Sequence, residues 1–128
     1  MSHFSKIKTT LKDLSLLQKS LNDLGISWDE SINSIKGYKS QECFANLVVK
    51  QSNNYDIGFT WNGTEYQLVA DLQFWQQAVP VDRFLSKITQ RYAYHTVVNE
   101  TSKQGFQVSE QQNHQDGSIH LVLQRWSA

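Results

Sequence analysis

The chain has one cysteine, one proline, one methionine and no excess of either charge among its 128 residues. A lone cysteine excludes an internal disulfide and a cysteine-built zinc site. Cys43 sits in Glu42-Cys-Phe-Ala-Asn-Leu-Val48, an apolar strand context that reads as a buried, inert thiol. Twelve basic residues balance twelve acidic ones, so no global field draws the protein onto nucleic acid or anionic lipid. The strongly apolar runs, such as Ala45 to Val49, fall far short of the roughly 20 residues that cross a bilayer, and Met1-Ser-His-Phe-Ser-Lys6 lacks the apolar core of a secretory signal. The expectation is a protein of the cytoplasm with no membrane insertion. There is no glycine-rich phosphate loop, no Gly-x-Ser-x-Gly elbow and no Cys–His pair with an orienting third group, so no cofactor and no catalytic residue is assigned.

What is present is patterning. The length suits a single domain over residues 1–128. Tyr55 to Trp75 writes out a β-hairpin, with Asn62-Gly63 expected as a two-residue turn and Ile57, Phe59 and Trp61 opposite Tyr66, Leu68 and Ala70 on one face. Cys43 to Gln51 reads as a buried strand before it, which makes a three-strand meander. His3 to Thr9 is a first strand. Thr10 is the expected N-cap of a helix carrying Leu11, Leu14, Leu17, Leu21 and Leu24 on one face and ending at Gly25. Ile26 to Gln41 is weakly patterned, with a short strand near Trp28 and a loop around Gly37. Val79-Pro80 opens a second helix with Asp82 in its first turn and Val81, Phe84, Leu85, Ile88, Tyr92 and His95 on one face. Gly105 to Trp126 repeats the hairpin idea about Gln115-Asp116-Gly117, with Gln107, Ser109, Gln111 and Asn113 as a solvated face. The sum is an α+β domain: a mainly antiparallel sheet of about five to six strands with two amphipathic helices packed on one face.

The opening Met1-Ser-His-Phe-Ser-Lys-Ile-Lys-Thr9, the helix end Asp23-Leu-Gly25, the hairpin start Tyr55-Asp-Ile-Gly-Phe59 and Gln90-Arg-Tyr-Ala-Tyr94 together resemble the hypothetical chloroplast reading frame thirty-five family of cyanobacteria and algal plastids. The resemblance runs almost end to end. It implies a soluble protein of a cyanobacterial cytosol or plastid stroma, and it brings no catalytic residues with it.

Chemistry-bearing side chains are scattered. His3, His95, His114 and His120 show no metal-ligand spacing, although His114 and His120 flank one turn and could approach across the hairpin. His95 reads as a residue at the edge of a core before it reads as a general base. Asp71 follows an apolar strand and is the carboxylate to watch, with a capping role as its simpler reading. Tyr55, Phe59, Trp61, Tyr66 and Trp75, with Arg83 and Arg91, raise the alternative of single-stranded RNA binding through sheet aromatics. A small-molecule site or an enzyme with an unrecognised site is a second alternative. A neutral domain rich in Trp and Tyr fits best as a non-catalytic accessory or adaptor protein, contacting a partner protein through Trp75, Arg91 and Trp126.

Overall fold

The computed structural model describes residues 4–125. His3 and Trp126 lie outside the described residues. In chain order the elements are β1 (Phe4–Ile7), α1 (Leu14–Asp23), β2 (Ser34–Lys36), β3 (Glu42–Phe44), β4 (Leu47–Val49), β5 (Ile57–Trp61), β6 (Tyr66–Asp71), α2 (Val81–Lys103), β7 (Phe106–Asn113) and β8 (Ile119–Arg125).

Side chains alternate across a strand, so a strand buried on both faces must be apolar on both. That condition is met in the middle of the chain. β4, β5 and β6 form the expected antiparallel meander, and β1 returns beside β6 to complete a four-stranded sheet in the order β1-β6-β5-β4. Leu47, Val49, Ile57, Phe59, Leu68 and Ala70 share one cluster with Leu17 and Leu21 of α1 and Phe84 and Ile88 of α2. Val48 and Val69, on the other face, pack with Ile35 of β2 and Ala45. The result is three layers: two helices, the sheet, and a small ribbon of β2 paired with β3. Complete burial of Phe59, Ile57 or Leu68 removes enough apolar surface to contribute about 1.5–3 kcal/mol each. The class is α+β and the pairing antiparallel throughout; the strands are shared among the main sheet and two two-stranded ribbons.

Five local details depart from the sequence reading. Cys43 to Gln51 is two strands, because the backbone changes partner at Ala45-Asn46. Ala45 N–H donates to Asn33 (2.9 Å), Asn46 N–H donates to Phe59 (2.9 Å), and the Asn46 carboxamide accepts the Trp61 N–H (2.8 Å). The cap of α1 is Asp13, whose carboxylate accepts the Leu16 N–H at 3.1 Å. Thr9 is used elsewhere: its hydroxyl donates to the Tyr66 carbonyl and accepts the Leu11 N–H, and the Leu11 carbonyl accepts the Tyr66 N–H (2.7 Å). Leu11 is therefore buried but not helical. The hairpin loop holds four residues, Asn62 to Glu65, since Trp61 lies opposite Tyr66. Gly63 takes the positive φ of 100°, while Asn62 works through its side chain, accepting the N–H groups of Thr64 (2.8 Å) and Glu65 (2.9 Å). In β7 a bulge at Ser109 moves Gln111 and Asn113 to the face of Val108, leaving Gln107, Glu110 and Gln112 on the other. The short strand sought near Trp28 is a single bridge between Asp29 and Val48.

α1 ends as expected at Gly25 (φ 70°) in a Schellman motif, with Gly25 N–H donating to Asn22 and Ile26 N–H to Leu21. Gly58 marks a close approach of ribbon to sheet: a Cβ there would lie 2.8 Å from the Ala45 Cβ and 3.2 Å from the Ile35 Cδ1. Gly58→Ala is expected to destabilise the domain by about 1–3 kcal/mol, read from the urea midpoint. An unchanged midpoint would mean that β2–β3 does not seat against the sheet.

Candidate functional site

α2 is 23 residues long, yet its buried residues are Phe84 and Ile88, both in its first half. This half is a core helix by the spacing of Val81, Phe84, Leu85, Ile88 and Tyr92, all in or against the main cluster. The next turn grips both ends of α1. The Tyr92 hydroxyl accepts the N–H groups of Lys12 (3.1 Å) and Asp13 (2.9 Å) ahead of α1. Arg91 donates to Asp23 at the far end of α1 through Nε (3.0 Å) and Nη2 (2.7 Å), and His95 Nε2 reaches the same oxygen at 2.6 Å. Partial burial by itself would raise the Asp23 carboxyl; the hydrogen bonds and charges of Arg91 and His95 outweigh it and hold the group below the ordinary carboxylate value. The Arg91 guanidinium also lies over the Tyr94 ring at 4.4 Å, and the Tyr94 and His95 rings meet edge to face.

Beyond His95 the helix leaves the core, while the β7–β8 ribbon folds back along α2 with its turn, Gln115 to Gly117, beside Arg83, Ser86, Lys87 and Gln90. Gln90, Ala93, Tyr94 and Val97 of α2 face Gly117, Ser118, Ile119 and Leu121 across a groove of about 220 Å³. The ribbon turn is closed by His114 N–H to Ser118 (2.9 Å) and Gly117 N–H to His114 (3.0 Å), with Gly117 at φ 89°. Apolar side chains stay in water on this arm: Val97 is 42% exposed, Val122 39% and Leu123 37%. A second groove, of about 490 Å³, runs beside β4 between Ile26, Trp28, Asp29, Lys50 and Gln77. There Trp28 Nε1 is spent on the Asn22 carboxamide (2.8 Å), and the Ser31 hydroxyl and N–H hold Asp29 below its ordinary value.

The residues singled out from sequence fall in different places. Arg91 stands at the root of the arm. Trp75 is half-buried at the start of α2, its indole donating to the Val79 carbonyl (2.8 Å) and its ring edge-on to Phe84. Trp126 lies outside the described residues, directly after β8 in the chain. His95 serves Asp23 as above. Register places His120 opposite Gln112, and His114 bonds Ser118, so the two imidazoles are not a facing pair. Among the described residues no group of three or more His, Cys, Asp or Glu is placed to hold a metal ion. Asp71 is buried as expected and acts as a cap: its two oxygens accept the N–H groups of Tyr38 and Gln73, each at 3.1 Å. Cys43 is partly buried against the sheet and free. The sheet aromatics are largely consumed by packing: Phe59 is fully buried under the helices, Tyr55 stacks on Phe74 at 3.9 Å, and Tyr66 is half-buried against Trp61.

Sequence reasoning missed Gln51, which is buried and ties its own segment to Tyr55–Asp56 and to the stretch from Phe74 to Gln77. Its side chain donates to the Tyr55 and Phe74 carbonyls and accepts from Gln76 N–H and the Gln77 side chain, while its N–H donates to Asp56. Partners more than 20 residues away in sequence leave no local signal. It missed the Tyr92 hydroxyl for the same reason.

A three-layer α+β domain with a two-stranded ribbon laid along its second helix is the class of protein these residues define. Its relatives share the same length. The chain is 60% identical over 126 residues to the uncharacterized protein ycf35 of Guillardia theta, covering 98% of each chain. It is 46% identical to the protein of that name from Pyropia yezoensis over 99% of each, and 42% identical to that from Cyanophora paradoxa over 98% of each. The chain belongs to the family described as protein of unknown function DUF1257, whose model matches residues 20–122, as the resemblance read from its sequence implied. No solved structure matches it, and none of the helices among the described residues is long and apolar enough to cross a membrane.

The Asp23 cluster generates a pH dependence with a definite sign. A folded-state value below the ordinary 3.8 means that the unfolded chain binds the proton first. The stabilisation is therefore complete above that ordinary value and is lost as pH falls through the lower, folded one. With the Asp23 side chain 31% exposed, Asp23→Asn should cost ~1 kcal/mol or less at pH 7. The gap between the two urea midpoints should narrow as pH falls below the ordinary carboxylate value; a gap that does not narrow with falling pH would contradict the assignment.

Proposed function

We propose that this chain is a non-catalytic accessory domain that binds a partner protein, acting in a cyanobacterial cytosol or plastid stroma. The observation that carries this reading is the arm: Val97 and Leu123 remain exposed on the groove side of a helix and ribbon whose helix is core in its other half. Exposed apolar side chains beside a rigid concave surface are what a docking partner covers, and an Arg stacked on a Tyr at the rim is a hot-spot pairing. Arg91 and Trp126 bracket this arm in sequence, and Trp75 is the third candidate contact, at the other end of α2. The RNA alternative finds less support, because most aromatics it would use pack on one another or under the helices.

The test is affinity capture of the tagged chain from a cyanobacterial lysate, with nuclease present, for the wild type and for Val97→Asp, Arg91→Ala, Trp75→Ala and Trp126→Ala. Specific protein capture should survive nuclease. Val97→Asp should weaken it by roughly 30-fold, the equivalent of about 2 kcal/mol at a hot spot, with the far-UV spectrum and unfolding midpoint retained. Capture undiminished in all four variants, or lost on nuclease treatment, would sink the reading.

A further inference from the structure

A strand with one side unpaired presents a row of N–H and C=O groups, and proteins guard such edges with short length, charge, bulges or cover. Among the described residues, each strand edge but one is guarded in that way. β1 is four residues long with Lys6 in it; β2 and β3 are three each and carry Lys36 and Glu42. β4, also three residues, is covered by the bridge to Asp29, which takes both the N–H and the C=O of Val48 (2.9 and 2.8 Å). β7 is long, but it is interrupted by the Ser109 bulge and carries Glu110. β8 is different. It runs for seven residues, Ile-His-Leu-Val-Leu-Gln-Arg, without proline or bulge, and its one formally charged residue, Arg125, is turned back over the Phe106 ring of its own ribbon at 5.0 Å.

The geometry points to a second copy of this chain as the occupant of the β8 edge: two β8 strands pair antiparallel about a two-fold axis at Val122 to form a continuous sheet β7-β8-β8-β7. The register follows from the ladder. The Val122 carbonyl accepts the Ser109 hydroxyl of β7 (3.2 Å), so the Val122 backbone faces its own ribbon. By alternation the backbone groups of Leu121 and Leu123 face outward. A two-fold axis at Val122 then sets Leu121 of one copy opposite Leu123 of the other, His120 opposite Gln124 and Ile119 opposite Arg125. No like charges oppose one another. The exposed Val122 side chains meet each other, and the Leu121 and Leu123 pairs from both copies form one apolar strip on the side facing α2. A two-stranded ribbon is marginal in water and four strands with an apolar face are not, so pairing also completes the arm. Such an interface is isologous and closed, which limits assembly to a dimer. The inference is separable from the docking groove at Val122, which lies on the opposite ribbon face from the groove residues Ile119 and Leu121.

The experiment is sedimentation of the full chain over a concentration series, alongside Val122→Lys, which sets two ammonium groups against each other at the axis. The wild type should be a concentration-dependent dimer. Val122→Lys should dissociate it at least roughly tenfold more readily, with an unchanged far-UV spectrum. A Val122 pair across the axis is a non-hydrogen-bonded pair, whose Cα atoms lie about 4.5 Å apart, near the short end of the range a disulfide spans. In a Cys43→Ser background, Val122→Cys should therefore cross-link to dimer under oxidised glutathione, whereas Gln124→Cys, which faces His120, should not. A wild type monomeric at all concentrations, a dimer indifferent to Val122→Lys, or equal cross-linking at both positions would each overturn the proposal.

Discussion

The central constraint in this fold is that β5 has no face in water over its first three residues. Ile57 and Phe59 lie under the helices, and Gly58 lies under the β2–β3 ribbon. Burial on both sides requires a layer on each, and that requirement organises the rest. The leucines of α1 and the first half of α2 supply one layer. Ile35 and Ala45 supply the other, and they can come close only because position 58 has no side chain. The break of the chain at Ala45-Asn46 serves the same end. One short stretch contributes a strand to the ribbon and then a strand to the sheet it covers, with the Asn46 side chain closing the gap in the ladder.

The helix layer is held together by polar groups at its margin. A single turn of α2, Arg91 to His95, reaches both ends of α1 through Tyr92 in one direction and Arg91 with His95 in the other. Ion pairs this exposed contribute little each. Their value lies in fixing where the core half of α2 ends. From that turn onward α2 has no buried residue, and Val97 of the helix with Val122 and Leu123 of the ribbon beside it stay in solvent. The molecule thus joins a three-layer body to an arm that has little core of its own, and the proposed docking role rests on that division.

Much of the body was legible because its signals are periodic. The leucine spacing of α1, the alternation through β5 and β6, the apolar face of α2 and the glycines at 25, 63 and 117 each named their element. What escaped was set by partners remote in sequence. Asp13 rather than Thr10 caps α1 because hydrogen bonds of Thr9 and Leu11 with the Tyr66 backbone hold that stretch against β6, ahead of the helix. β2 is three residues whose one buried side chain, Ile35, carries no pattern by itself. The Ser109 bulge inverts the faces of Gln111 and Asn113, and an alternation count has no means of seeing an inserted residue. Among the candidate residues, the capping reading of Asp71 and the core-edge reading of His95 correspond to what these groups do. The arm's exposed edge and groove could not be read in advance, because an apolar strand looks the same in sequence whether or not a neighbour covers it.

The division into body and arm is tested most directly by native-state hydrogen exchange, followed residue by residue in dilute protein across low urea concentrations. The account predicts two classes of amide. Those of β4, β5, β6 and α2 as far as Tyr92 should exchange only through global unfolding, with the full urea dependence of the equilibrium transition. Those of α2 beyond His95 and of β7 and β8 should open at lower free energy with a smaller urea dependence. A single class, with the arm as protected as β5, would contradict the account and make the ribbon part of the core.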